Sequence, residues 1–200
     1  MFVSVSLSLG HAAAHPAMSR TAAPTVVERI RPVGPAGNLL TGYESTHSHR
    51  GAHCSAGSEA TRSAYRCIAH NRVYDPCWVS ANRAFVDCLN DPWGFDVVQL
   101  QVTKGYDNAG FSKRTASIPW GVQLANGQLC GLLQGATSTV HGRRVNYGCQ
   151  HVKYVLVGNV DKHHKVWRIR KAHPTSGGHF KVTGFVDVTK AFFGKPSRKG

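Results

Sequence analysis

The chain has 200 residues, 42% hydrophobic and 17% charged, with a formal charge of +14. That is enough apolar material for the core of one domain, and 21 glycines with 9 prolines favour many turns over long helices. No stretch approaches the roughly 20 apolar residues of a membrane-crossing helix, which excludes a helical membrane span.

Residues 1–14 read as a truncated signal peptide. Phe2 to Leu9 is an apolar run and Ala12-Ala13-Ala14 offers small residues for cleavage, although no Lys or Arg precedes Arg20. Residues 15–50, rich in Ala, Pro, Gly, Ser and Thr, read as a flexible linker. From 51 to 194 the signals are those of a single β-rich domain, and 195–200 form a basic tail.

Within that domain Ser58 to Arg62 is expected to form one helical turn. Ala64 to Ala69 and Arg72 to Tyr74 flank the turn-forming pair His70-Asn71, and Cys77 to Val79 and Ala84 to Leu89 flank Asn82. After the breaker Asn90-Asp91-Pro92, Val97 to Thr103 alternates like a strand, and Gly105 to Arg114 reads as a polar loop. Ile118 to Leu124 and Gln128 to Leu133 are joined through Asn126-Gly127, the strongest short hairpin signal in the chain. Arg143 to Cys149, Val152 to Val157, Lys165 to Lys171 and His179 to Val186 complete the strand-like runs, and Asp187 to Phe193 is a terminal helix or a last strand. The expected fold is mostly β with minor α: a single disulfide-stapled antiparallel β domain, sandwich or barrel-like.

The six cysteines, Cys54, Cys67, Cys77, Cys88, Cys130 and Cys149, contain no close Cys-x2-Cys pair of the kind that structural zinc or redox sites use. A hairpin centred on Asn82-Arg83 sets Cys77 opposite Cys88. A turn at His70-Asn71 sets Cys67 opposite Tyr74, which leaves Cys67 for Cys54, and Cys130 and Cys149 fall in consecutive predicted strands. Each bridge is worth on the order of 2–4 kcal/mol when unstrained. His70 and Asp75 stand near Cys67, but an even cysteine count in a small chain favours an oxidising compartment over a thiol nucleophile.

The stretch CSAGSEATRSAYRCIAHNRVYDPCWVSANRAFVDCLNDPW, with IPWGVQLANGQLCGLLQGATSTVHGRRVNYGC after it, resembles a group of secreted, cysteine-containing actinobacterial proteins of unknown function. The resemblance covers about Cys54 to Trp167. It implies export and disulfide pairing and brings no catalytic residues.

Catalytic patterns are thin. Glu occurs only at 28, 44 and 59, so Asp91 and Asp96 beside Trp93 are the best carboxylate pair for hydrolysis. No Gly-x-Ser-x-Gly, Walker, HExxH or GxGxxG motif is present, and Ser176-Gly-Gly-His179 reads as a turn. An extracellular hydrolase is therefore an alternative without an assigned site. A second alternative is metal binding by His47, His49 and His53, whose imidazoles suit Zn, Cu or Ni; the leading reading calls for no cofactor.

Charge is the more directive feature. From His141 onward 13 Lys or Arg face only Asp161 and Asp187, a net +11, against +3 for the first 140 residues. In Lys165-Val-Trp-Arg-Ile-Arg-Lys171 strand alternation sends Trp167 and Ile169 inward and Arg168 and Arg170 outward. Arg143, Arg144, Lys165, Arg168, Arg170 and Lys171 are thus the candidate anion-binding residues. The sequence expectation is a secreted β domain that acts by binding or as structure, with a basic half for a cell-envelope polymer, glycan or nucleic acid. No recognition helix or RNA-binding aromatic motif suggests sequence-specific base reading.

Overall fold

Tight turns set the first register. In the computed structural model, which describes residues 22–106 and 118–196, His70 and Asn71 both adopt positive φ (50° and 61°), the backbone that a two-residue hairpin turn requires. They join β3 (Tyr65–Ala69) to β4 (Arg72–Val79) and place Cys67 against Tyr74. The turn at 82–84 joins β4 to β5 (Phe85–Leu89) and puts Cys77 directly opposite Cys88. With β2 (Glu44–Gly57) before them and β6 (Asp96–Tyr106) after, these strands form a closed five-stranded barrel. An up-and-down meander of five strands ends pointing the way it began. The closing pair, β2 with β6, is therefore parallel, while the other four pairs are antiparallel.

β4 carries one irregularity. Tyr65 faces Cys77 and Cys67 faces Tyr74, so one extra β4 residue bulges at Asp75-Pro76, whose peptide is cis. A bulge is one of the few places where a strand accommodates a proline, and here it keeps Tyr74 and Cys77 in the same interior.

The second unit is built from β7 (Gly121–Leu124), β8 (Leu129–Leu132), β9 (Thr139–Val140), β10 (Arg143–Cys149), β11 (Val155–Asp161), β12 (Trp167–Pro174) and β13 (Phe180–Gly194). Asn126-Gly127 makes the β7–β8 hairpin, with Gly127 at φ 83° and the Asn126 side chain accepting from Gln128 N at 3.1 Å. β13 pairs β12 through residues 180–188 and β7 through 188–192, so the path β7-β8-β10-β11-β12-β13 returns on itself in a six-stranded, all-antiparallel ring. β1 (Val26–Ile30) adds in parallel to the end of β13, and β9 pairs the start of β10.

The two units share one core. Along β4 to β6, Cys77, Cys88 and Val98 point into the first barrel, while their neighbours Trp78, Leu89 and Val97 point outward. There they join Trp120, Tyr147, Leu156, Ile169 and Phe193 of the second unit. Trp78 and Trp120 meet edge to face at 6.2 Å, and the buried Tyr147 hydroxyl donates to Pro119 O at 2.8 Å. Strands buried on both faces explain the unbroken apolar burial from Tyr74 to Trp78 and Val86 to Leu89 around the single charged positions Asp75 and Asp87.

Three disulfides, Cys54–Cys67, Cys77–Cys88 and Cys130–Cys149, use all six cysteines in the expected pairing. Among the described residues no helix is long and apolar enough to cross a membrane.

Several expectations are corrected. No α-helix occurs among the described residues: Ser58 to Arg62 is an irregular turn in which Ser58 Oγ accepts from the amides of Ala60 and Thr61. Asp187 to Phe193 belongs to β13. The sheets are not purely antiparallel, since β1–β13 and β2–β6 are parallel. The part of the expected linker from 22 to 50 supplies β1, the buried Val33 and half of β2. Its polar residues there carry no alternation because both faces of those strand segments are largely solvated. The signal-like residues 1–14, most of the expected loop 105–114 and tail residues 197–200 lie outside the described residues.

Candidate anion-binding surface

β12 alternates as its sequence dictates. Ile169 is fully buried and Trp167 packs on the core edge, so Arg168 and Arg170 leave the barrel on its outer side. The register with β13 places Phe185 beside Arg170 and Asp187 beside Arg168. Phe185 is 50% exposed. The Arg170 guanidinium lies 4.8 Å from its ring centroid and that of Arg168 5.6 Å, so one exposed ring is flanked by two cations. Each contact is worth about 0.5–1 kcal/mol at such a site, and guanidinium groups on a ring keep N–H groups for an anion.

One edge of this cluster is partly neutralised. Arg168 bonds the His164 ring through its terminal nitrogen and sits in register with Asp161. The Asp161 carboxyl is held below the usual range, first by the His163 amide at 3.1 Å and further by the charges of His164, His163 and Arg168. Arg168 Nε makes no hydrogen bond. Arg170 has the less encumbered cation.

The other basic residues singled out by sequence do not gather around this pair. Arg144 is consumed internally, donating to Asn146 Oδ1 at 3.0 Å, Leu133 O at 2.6 Å and Gly135 O at 2.9 Å. Arg143 runs over Gly158 and lines a cavity of about 380 Å3 that Glu59 also lines. Lys165 is exposed in the β11–β12 connection, where its carbonyl accepts from Thr25 N. Lys171, one residue beyond Arg170, alternates away and lies 5.4 Å from the Tyr154 ring. Phe185 was not singled out by sequence, although Val186 and Val188 on the inward side already imply an outward Phe185.

His47, His49 and His53 are not brought together either. His47 bonds Thr46 Oγ1, while His49 packs against the rings of His70 and Tyr74 at 5.3 and 6.2 Å. No group of three or more His, Cys, Asp or Glu among the described residues is placed to hold a metal ion.

The carboxylates mark a different feature, a cleft of about 710 Å3 at the barrel junction, lined by Arg72, Asp75 and Asp91 from one side and Gln134 from the other. Asp75, on the bulge, has a side chain 0% exposed. Its Oδ2 accepts from Glu59 N at 2.9 Å and Arg66 Nε at 3.2 Å, while Oδ1 makes no hydrogen bond. Burial pushes its carboxyl up to about 6 against the pull of these bonds and of the Arg66 charge. Arg66 also pairs Glu59 at 2.9 Å and reaches Gln134 Oε1 at 3.4 Å, and Gln134 returns a bond to Asp75 O at 3.1 Å. This network ties the barrels together, and its buried carboxylate is closed to a substrate. Asp91 lies at the cleft rim, its carboxyl raised by burial against the pull of Arg72, and Asp96 does not line the cleft.

Fold and surface thus define a class: an all-β, three-disulfide pair of closed sheets with an arginine–phenylalanine cluster on the outside of the larger one. No protein family, curated protein or solved structure matches the chain.

Proposed function

We propose that the chain is an exported, disulfide-stabilised binding domain that holds an acidic glycan or cell-envelope polymer on the outer face of β12 and β13. The observation that carries this reading is the exposed Phe185 ring between Arg168 and Arg170. The exposed part of the ring offers apolar surface to a sugar, while the guanidinium groups beside it, Arg170 foremost because Arg168 already bonds His164, meet carboxylate, sulfate or phosphate substituents. One ring with two cations suits a single charged sugar unit better than a run of stacked bases, which needs successive aromatic platforms. Export is supported by the use of every cysteine in a disulfide, by the apolar run Phe2 to Leu9, and by the resemblance to secreted actinobacterial proteins.

The test is retention on immobilised heparin, with single-stranded DNA as competitor. Retention is expected near physiological salt, falling steeply as salt rises, and the Arg168→Ala/Arg170→Ala protein should bind about tenfold or more weakly through loss of charge-assisted contacts. No retention near physiological salt overturns the proposal. Preferential elution by DNA moves the assignment from glycan to nucleic acid.

A further inference from the structure

A cavity of about 570 Å3 remains that neither the barrel junction nor the arginine–phenylalanine face uses. Three arginines line it: Arg31 after β1, Arg62 in the β2–β3 connection and Arg83 in the β4–β5 turn. No Asp or Glu lines it, and none of the three arginines forms an ion pair among the described residues. The rest of the wall is largely apolar, with Tyr65, Trp78, Pro35 and Pro196 among its residues.

Arg31 is held in place by a bond from its Nη2 to Gly34 O at 2.9 Å. The wall is also preformed. Gly37, at φ 85°, accepts from Ala81 N at 2.9 Å, and a Cβ on Gly37 would lie 2.5 Å from that nitrogen. The 32–37 loop is therefore seated directly on the β4–β5 turn.

We infer that this cavity is a binding site for a small organic anion, an acidic group carried on a flat apolar body. The guanidinium groups hold the acid, and the aromatic and proline wall covers the body. The volume falls in the range of about 300–1,000 Å3 typical of sites for such molecules. This site is independent of the polymer-binding face, on the other barrel.

The probe is 8-anilinonaphthalene-1-sulfonate, titrated calorimetrically into the full chain, with N-phenyl-1-naphthylamine supplying the same rings without the sulfonate. One sulfonate probe per chain is expected, and the neutral compound should bind at least about tenfold more weakly. Arg62 and Arg83 are exposed, so Arg62→Ala/Arg83→Ala should keep its fold and lose about tenfold or more in probe affinity. Ala81→Trp, which fills the cavity from its exposed rim, should abolish binding. Arg168→Ala/Arg170→Ala should leave it unchanged. Equal binding of the neutral compound, unaltered affinity in Arg62→Ala/Arg83→Ala or Ala81→Trp, or an equal loss in the outer-face variant overturns the assignment.

Discussion

The two barrels fill their interiors with different chemistry. Among the described residues, ten buried ones form the inside of the five-stranded barrel, and four of them are Cys54, Cys67, Cys77 and Cys88, with Ala52 and Ala69 beside them. The six-stranded unit instead gathers Trp120, Tyr147, Leu156, Ile169 and Phe193 around itself and has one bridge, Cys130–Cys149. A narrow ring has room for two cystines and small residues but little apolar area to bury, and small cores commonly rely on covalent staples. The first barrel compensates further by turning Trp78, Leu89 and Val97 outward into its neighbour's core. The lesson is that one continuous chain stabilises adjacent barrels in two ways, by cross-links in one and by apolar volume in the other.

Substitutions test that contrast. The largest effect should come from Trp120→Ala, which removes the ring at the shared core and should cost about 3–5 kcal/mol, read from urea unfolding. Next is a comparison of bridges. Cys77→Ala/Cys88→Ala should cost about 2–4 kcal/mol and exceed the cost of Cys130→Ala/Cys149→Ala. Loop entropy alone gives the opposite order, because the separations are 11 and 19 residues, but it favours the longer loop by only about 0.5 kcal/mol. If the 130–149 pair proves the more costly to remove, the contrast between a cross-linked and an apolar barrel is broken.

The junction supplies a pH test. The Asp75 carboxyl is raised from 3.8 to about 6, so the folded protein holds that proton more tightly than the unfolded chain. Its stabilising contribution is complete below about pH 3.8 and is lost as pH rises through about 6. A difference of that size is on the order of 3 kcal/mol. Asp75→Asn should flatten the dependence between pH 4 and 6.5, measured as urea midpoints, while the Arg66–Glu59 pair remains. A slope identical to the wild type would place the titration elsewhere. The smallest effect on stability should be that of Phe185→Ala, within about 0.5 kcal/mol because the ring lies on the surface, yet it should lower the salt needed to elute the protein from heparin.

Local chemistry made much of this legible. His70-Asn71, Asn82-Arg83 and Asn126-Gly127 are turn signals that act over two to four residues, and once they fix register, Cys77 must face Cys88. The alternation of Trp167, Arg168, Ile169 and Arg170 likewise declares which side is buried. By contrast, β1 and the polar start of β2, Glu44 to Gly51, carried no signal, because they are held by backbone pairing to β13 and β6 with their side chains mostly in solvent. At the surfaces, charge alone overstated the basic cluster: Arg144 is as cationic as Arg170, but its donors are directed to Leu133, Gly135 and Asn146.

The sequence by itself determined a mostly β chain, its hairpin registers, its disulfide pairing and the two outward arginines of β12, since each depends on neighbours a few residues apart or on strand period. Only the tertiary structure decided that the strands close into two rings, that their cores merge through Trp78 and Trp120, and that Arg31, Arg62 and Arg83 meet at one cavity. Those arginines come from separate turns and connections, and only ring closure with the seating of the 32–37 loop brings them together.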